Sequence, residues 1–205
     1  MIYTTEATED DLERILMIEQ CAISPPWTRE MFLREITSDD SFFVVAVDGD
    51  PKPEGALPIV GQPQSGQPQR TCPSHAPSGR NALPGQHALP GQHALPGRKA
   101  PASNARGADI LGFLILRRTT YEADLLQIAV DKSARRQGIG SILIRAALGY
   151  AKLNALCSIH LEVRKSNEPA IALYKNNGFM QVRVRKGYYT DPVEDAVAMV
   201  CRLSS

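Results

Sequence analysis

Gln127-Ile-Ala-Val-Asp131-Lys-Ser-Ala-Arg135-Arg-Gln-Gly138-Ile-Gly140-Ser141 is the stretch of this chain with the densest chemical pattern. An apolar run ends at Asp131. A Gly-x-Gly then opens an amphipathic segment with Ile142, Leu143, Ala146, Ala147 and Tyr150 on one side. That spacing predicts a strand, a short loop and a helix over 139–153. Small residues at a helix start let backbone N–H groups approach an anion, and the helix end adds its partial positive charge. Arg135 and Arg136 supply cationic donors beside it. The Lys-Ser/Thr ending of a Walker loop is missing, and so is the third glycine of a dinucleotide fingerprint. A helix that merely starts on two convenient glycines, flanked by solvated arginines, would explain the same residues.

Working outward, the flanking segments alternate in type. Ile2 to Thr5 reads as a short strand. Thr8 caps a helix with an acidic first turn and apolar positions Leu12, Ile15 and Leu16. Pro25-Pro26-Trp27-Thr28 breaks that helix and starts a second one through Ile36. Strands are predicted at Ser41–Val47, Ile110–Leu116, Leu125–Val130 and Ile159–Val163, and a helix near Pro169–Asn176. Two final strands flank a turn at Tyr188-Tyr189. Strands that first stand alone and then alternate with helices imply an α/β (α+β) domain, a mixed sheet with helices on both faces.

Residues 51–108 are a different kind of chain. They hold 11 of the 15 prolines, 8 of the 15 glycines, 3 of the 4 histidines and no aromatic residue. A hexad repeats through Ala82-Leu-Pro-Gly-Gln-His87, Ala88-Leu-Pro-Gly-Gln-His93 and Ala94-Leu-Pro-Gly-Arg98. Proline in every unit removes ladder donors, so a β-helix is excluded. With so little apolar surface, the segment cannot offset an ordering entropy of roughly 1–2 kcal/mol per residue. It is expected to be a disordered insert in place of a hairpin turn, between a first half (1–50) and a second half (109–205) of one domain. Cys72, His75, His87 and His93 include zinc-ligand types, but two of the histidines simply belong to the repeat, and no metal site is expected.

The whole chain of 205 residues has a formal net charge of +1. Six basic residues and Glu54 lie in the insert, leaving the other 147 residues with 17 basic and 21 acidic side chains. Bulk attraction to polyanions is therefore not the working principle, and no specific nucleic acid is expected as a partner. The longest apolar run, Phe42 to Val47, is far short of the ~20 residues that span a bilayer, and the acidic start carries no export signal. Four scattered cysteines complete the picture of a cytoplasmic protein with reduced thiols that does not act on membranes.

A second block, Leu161-Glu162-Val-Arg-Lys-Ser-Asn167-Glu-Pro-Ala170-Ile-Ala-Leu-Tyr174-Lys-Asn-Asn-Gly178-Phe179, stands on the next strand–helix junction. Together with the 127–141 loop, Pro26-Trp27 and Lys186-Gly-Tyr188-Tyr189, it resembles the GNAT N-acetyltransferases. The resemblance covers about residues 1–48 and 109–205 and leaves the insert outside. It implies the GNAT fold, a mostly antiparallel seven-stranded mixed sheet, and acetyl-CoA as co-substrate with no metal. By the same resemblance, the backbone of Ile128, Ala129 and Val130 on a splayed strand pairs with pantetheine. Arg135, Arg136, Gln137, Gly138, Ile139, Gly140 and Ser141 hold the pyrophosphate, and Asn167 and Tyr174 complete the site. Glu162 matches the family's general base and Tyr174 its general acid.

Acyl transfer from a thioester to an amine needs a neutral amine and a proton for the departing thiolate. Glu162 ends an apolar strand, where burial would raise its pKa towards neutrality. A phenol of pKa ~10 at Tyr174 can serve sulfur. Read without the motif, Glu162 pairs with Arg164 and Tyr174 packs on the sheet. His160 is expected on the face opposite Leu161, outside the chemistry. An α-amine of pKa near 7.8 costs ~1 kcal/mol to deprotonate at pH 7 and a lysine ~4.6, so one modest carboxylate suits a protein N-terminus.

The motifs are similar in particular to family members that acetylate the N-terminal alanine of small-subunit ribosomal protein number eighteen. That resemblance makes a ribosomal protein's N-terminal peptide the expected partner of a monomer or weak dimer. The turn after Tyr189 is shorter than usual, lacks a Gly-Arg, and Gly187 replaces an asparagine, which bears on peptide preference. A small-molecule amine or lysine is the alternative acceptor. A third alternative is a non-catalytic acyl-CoA- or ribosome-binding module.

Overall fold

A computed structural model describes residues 1–20, 26–49 and 109–203. The insert expected at 51–108, with its cysteine and histidines, lies outside the described residues. Seven strands form one sheet: β1 (Ile2–Glu6), β2 (Ser41–Asp48), β3 (Asp109–Arg118), β4 (Glu122–Val130), β5 (Ser158–Arg164), β6 (Met180–Thr190) and β7 (Val193–Arg202). Their order is β1-β2-β3-β4-β5-β7-β6, antiparallel throughout except for the parallel β4–β5 pair. Helices α1 (Leu12–Gln20) and α2 (Arg29–Ile36) cover one face, and α3 (Ile139–Leu153) and α4 (Glu168–Asn176) the other.

Two apolar layers explain this arrangement. Leu12, Ile15, Ile18 and Phe32 from α1 and α2 pack on Phe43, Val45, Phe113 and Ile115. The Phe32 ring meets that of Phe113 edge-on at 5.6 Å between centroids. On the other face, Leu143, Ile144 and Ala147 of α3 pack on Val44, Leu114, Leu116 and Ile159. Strand β2 is therefore buried on both sides, which is why its sequence is continuously apolar rather than alternating. Before α1, a 3-10 turn over Glu9–Asp11 follows Thr8, whose N–H donates to Asp11 Oδ2 at 2.8 Å. That contact satisfies an otherwise orphaned helix-start donor.

The hairpin expected to carry the insert is present. Phe42 pairs with Leu116, Val47 with Ile110, and Asp48 with Asp109. Two expectations need correction. Tyr188 and Tyr189 lie inside β6, and the chain turns at Asp191-Pro192 instead. Strand β6 runs longer because it bulges: Arg185 pairs with Ala196 but Tyr189 with Glu194, so Lys186, Gly187 and Tyr188 oppose Asp195 alone. Gly187 supplies a φ of +58° there, a conformation that L side chains rarely adopt. Cys157 is disulfide-bonded, whereas Cys201 is a buried free thiol. Scattered positions in a sequence do not reveal which thiols meet in space, so the expectation of reduced cysteines fails at Cys157.

Candidate active site

The parallel β4–β5 pairing covers only Glu122 with Ser158, Ala123 with Ile159, and Asp124 with His160. Beyond Asp124 the strands separate, leaving 125–130 and 161–164 as the two arms of a gap in the sheet. A bulge in β4 starts the divergence. Ile115 pairs with Gln127 but Leu116 with Leu125, so Leu126 is an extra residue. The bulge reverses the alternation: Ala123 and Leu125 face α3, then Leu126 and Ala129 face α1, while Ile128 and Val130 return to the α3 side. Bulges re-aim strands at this kind of site. The open edge of β4 carries the backbone of Ile128, Ala129 and Val130, the three residues expected to pair with an extended ligand.

The loop that follows is held from both ends. Asp131 accepts from the Ser133 N–H at 2.8 Å and the Ser133 hydroxyl at 2.5 Å, and Arg14 of α1 donates to it at 2.8 Å. The Ser133 hydrogen bonds, with Arg14 adding, hold its carboxyl below the ordinary range. Arg135 folds back onto the Val130 carbonyl at 3.1 Å, and Gln137 onto the Ser133 carbonyl at 3.1 Å. Arg136 is exposed, has a φ of +65° and makes no hydrogen bond among the described residues.

Gly138 caps α3 at a φ of +83°, and a Cβ placed there would meet nothing within 4 Å. At Gly140 a Cβ would instead come within 2.8 Å of the Leu173 side chain, so this glycine lets α3 approach α4. The first turn of α3 has no acidic side chain, and Gly138 lends no side-chain cap. The N–H groups of Ile139, Gly140 and Ser141 therefore begin the helix without intrahelical partners, beside open space and Arg136. A phosphate-bearing group fits this cradle.

Side-chain phase divides the remaining candidates between the two sides of the gap. On β5, Ile159, Leu161 and Val163 join the α3–α4 layer, so Ser158, His160, Glu162 and Arg164 point the other way. His160 thus lies opposite Leu161, as expected, with Nε2 2.8 Å from Ser158 Oγ and 3.2 Å from Glu122 Oε1. Glu162 is exposed rather than buried, which corrects the expectation that desolvation tunes it. Sheet coverage is the reason, because α1 and α2 pack chiefly over β2–β4. Its ion-pair partner is Arg185 at 3.1 Å, not Arg164, which instead holds Glu194 at 3.2 Å.

Tyr174 of α4 is buried at the opposite face, beside Phe179. Burial, with Tyr189 contributing, pushes its phenol well above the ordinary value. Tyr189 bridges the two sides: its hydroxyl donates to the Glu162 carbonyl at 3.4 Å, and Arg164 sits 4.2 Å from its ring centroid. Burial and the neighbouring Tyr188 push its own pKa up to about 12. Asn167 caps α4, its side-chain oxygen accepting from the Ala170 N–H at 3.2 Å, so its visible work is structural.

Sequence reasoning missed two groups. Arg14 gave no signal because its partner is 117 positions away. Glu19, on the last turn of α1, is fully buried; its Oε1 accepts from the Trp27 N–H at 3.1 Å and from Gln127 at 3.3 Å, while Oε2 has no partner among the described residues. A carboxylate at a position that continues the Leu12, Ile15, Ile18 stripe was the available clue. Burial raises its pKa to about 7, against a smaller opposing effect of the Trp27 N–H.

A seven-stranded sheet splayed at its parallel pair, with a glycine-opened helix beyond the longer arm, is the architecture of the GNAT fold. The chain belongs to the acetyltransferase (GNAT) family, whose model matches residues 88–179. It is similar to the ribosomal protein bS18-alanine N-acetyltransferase of Escherichia coli (strain K12), 39% identical over 94 residues. That match covers 45% of this chain and 64% of the relative's length. The Haemophilus ducreyi enzyme of the same name is 36% identical over 98 residues, 46% of this chain and 68% of that relative. Among solved structures, the ribosomal-protein-S18-alanine N-acetyltransferase from Escherichia coli shares the fold with a TM-score of 0.64 at 23% identity, covering 100% of this chain and 96% of that one. Arabidopsis thaliana NAA60 in complex with acetyl-CoA does so with a TM-score of 0.66 at 18% identity and full coverage of both. No helix among the described residues is long and apolar enough to cross a membrane. No group of three or more His, Cys, Asp or Glu among them could hold a metal ion.

Proposed function

We propose that this chain is an acetyl-CoA-dependent N-α-acetyltransferase whose acceptor is a protein N-terminus, the N-terminal alanine of small-subunit ribosomal protein number eighteen. The observation that carries this reading is the gap itself, with a carboxylate on one side and a buried phenol on the other. Acetyl-CoA supplies an activated acetyl thioester. The open edge of β4 at 128–130 holds its extended arm by backbone hydrogen bonds, and the N–H groups of 139–141 with Arg136 hold its phosphates. The acceptor enters from the Glu162 face. Glu162 attracts the α-ammonium and takes one proton; the neutral amine forms the nitrogen–carbon bond as the carbon–sulfur bond breaks, and the second nitrogen proton replaces the one that Tyr174 gives up. Tyr174, kept protonated by burial, offers its hydroxyl hydrogen to the departing sulfur. Both curated relatives named above carry that acceptor in their names, which supports the same acceptor here.

Two measurements test the reading. Mass spectrometry of protein N-termini in cells with and without the chain should show loss of acetyl from one ribosomal N-terminus. Glu162→Gln and Tyr174→Phe should each lower kcat by about 10²–10⁴ while keeping the fold. Unchanged N-termini, or wild-type rates in both variants, would overturn it.

A further inference from the structure

Arg185 and Glu162 sit on β6 and β5, strands that are not neighbours; β7 lies between them. The ion pair forms because β7 presents small residues at the crossing. Ala196 pairs with Arg164 on one side and Arg185 on the other, and Ala198 pairs with Glu162 and Arg183. Directly paired residues share a face, so Glu162, Arg164, Ala196, Ala198 and Arg185 all point to the side from which the acceptor would come. Two alanines leave room for the Arg185 guanidinium to reach over β7 to Glu162 Oε1 at 3.1 Å. The same guanidinium lies 5.2 Å from the Tyr188 ring centroid. Arg164 is employed quite differently, bonded to the Asp191 and Pro192 carbonyls and to Glu194. Those contacts brace the β6–β7 turn, whereas Arg185 holds the one carboxylate assigned to the incoming amine.

We propose that Arg185 is a positioning residue that holds on Glu162 the place of the acceptor's ammonium, so that acceptor binding exchanges one cation for another. This inference rests on the N-terminal acetyltransferase reading above. The Arg185 contact keeps Glu162 aimed into the gap before the acceptor arrives. It also weakens the carboxylate's hold on any ammonium. Because salt screens the pair that breaks as well as the pair that forms, the wild-type KM should be nearly independent of ionic strength.

The test uses the full chain, an alanine-starting peptide with a free N-terminus, and its N-acetylated form as a cation-free control. In Arg185→Gln, KM for the free peptide should fall about two- to fivefold, the range of a partly exposed ion pair, and should now rise with salt. Affinity for the N-acetylated peptide should stay within about twofold of wild type, because no ammonium is involved. Arg185→Lys restores the charge and should restore the wild-type KM and its flat salt profile. An Arg185→Gln KM that is unchanged, or raised together with weaker binding of the acetylated peptide, overturns the inference in favour of simple packing on Tyr188. A wild-type chain that acetylates no peptide N-terminus overturns the underlying reading instead, before any variant is compared.

Discussion

Replacing Glu19 by Gln should make the protein more stable at alkaline pH and leave it little changed in acid. The carboxyl is fully buried, and its pKa lies at about 7 against an ordinary 4.5. A folded-state value above the unfolded one means that the folded state binds the proton more tightly. The resulting stability is complete below the unfolded pKa and is lost as pH rises through about 7. Each pKa unit is worth ~1.4 kcal/mol, so ionising Glu19 inside the fold costs up to about 3 kcal/mol by pH 8.5. Glutamine keeps the shape and can still accept the Trp27 N–H, but it never ionises. Its amide nitrogen replaces Oε2, which has no partner among the described residues, and adds a pH-independent cost of about 1 kcal/mol. Urea unfolding of both chains from pH 5 to pH 9 gives the difference directly through the midpoint and slope. The expected sign is wild type equal or slightly ahead at pH 5, and the variant ahead by about 2 kcal/mol at pH 8.5. A difference that stays flat across that range would refute the reasoning.

Two other predictions concern backbone geometry. Gly138→Val should lose about 1–2 kcal/mol because a branched residue resists the left-handed conformation, and it should also abolish thermal protection by acetyl-CoA, since the added side chain enters the space beside the α3 N-terminus. An undiminished thermal shift would place the cofactor elsewhere. Exchanging 51–108 for an Asp-Gly turn should preserve acetylation of a free peptide, because the Asp48–Asp109 pair already closes the β2–β3 hairpin. Loss of acetyl-CoA binding in the shortened chain would show that the insert serves the site.

Much of this molecule was legible in the sequence because its signals are local. The helix at 139–153 begins and ends as its periodicity predicts, and the Phe42–Val47 and Ile110–Leu116 runs pair as their apolar patterns require. What escaped depends on partners far apart in the chain. Leu126 looks like any strand leucine, and only the pairing with β3 makes it the extra residue that opens the gap. The exposure of Glu162 follows from the reach of α1 and α2, which no property of residues 158–164 encodes. The turn expected at Tyr188-Tyr189 lies instead within one long strand, where Gly187 serves a bulge.

The shortness of the β4–β5 pairing has a mechanical consequence. Strands β1–β4 and β5–β7 are two antiparallel plates riveted by three residue pairs and clipped from beneath by α3. A ligand laid along 128–130 supplies missing rungs on the open side and stiffens the seam that is otherwise easiest to pull apart. Hydrogen exchange of the amides in that stretch would register the stiffening, and a pulling force across the sheet would meet its first resistance at the rivets. The weakest seam of the sheet is thus also the place where filling the gap adds most to its strength.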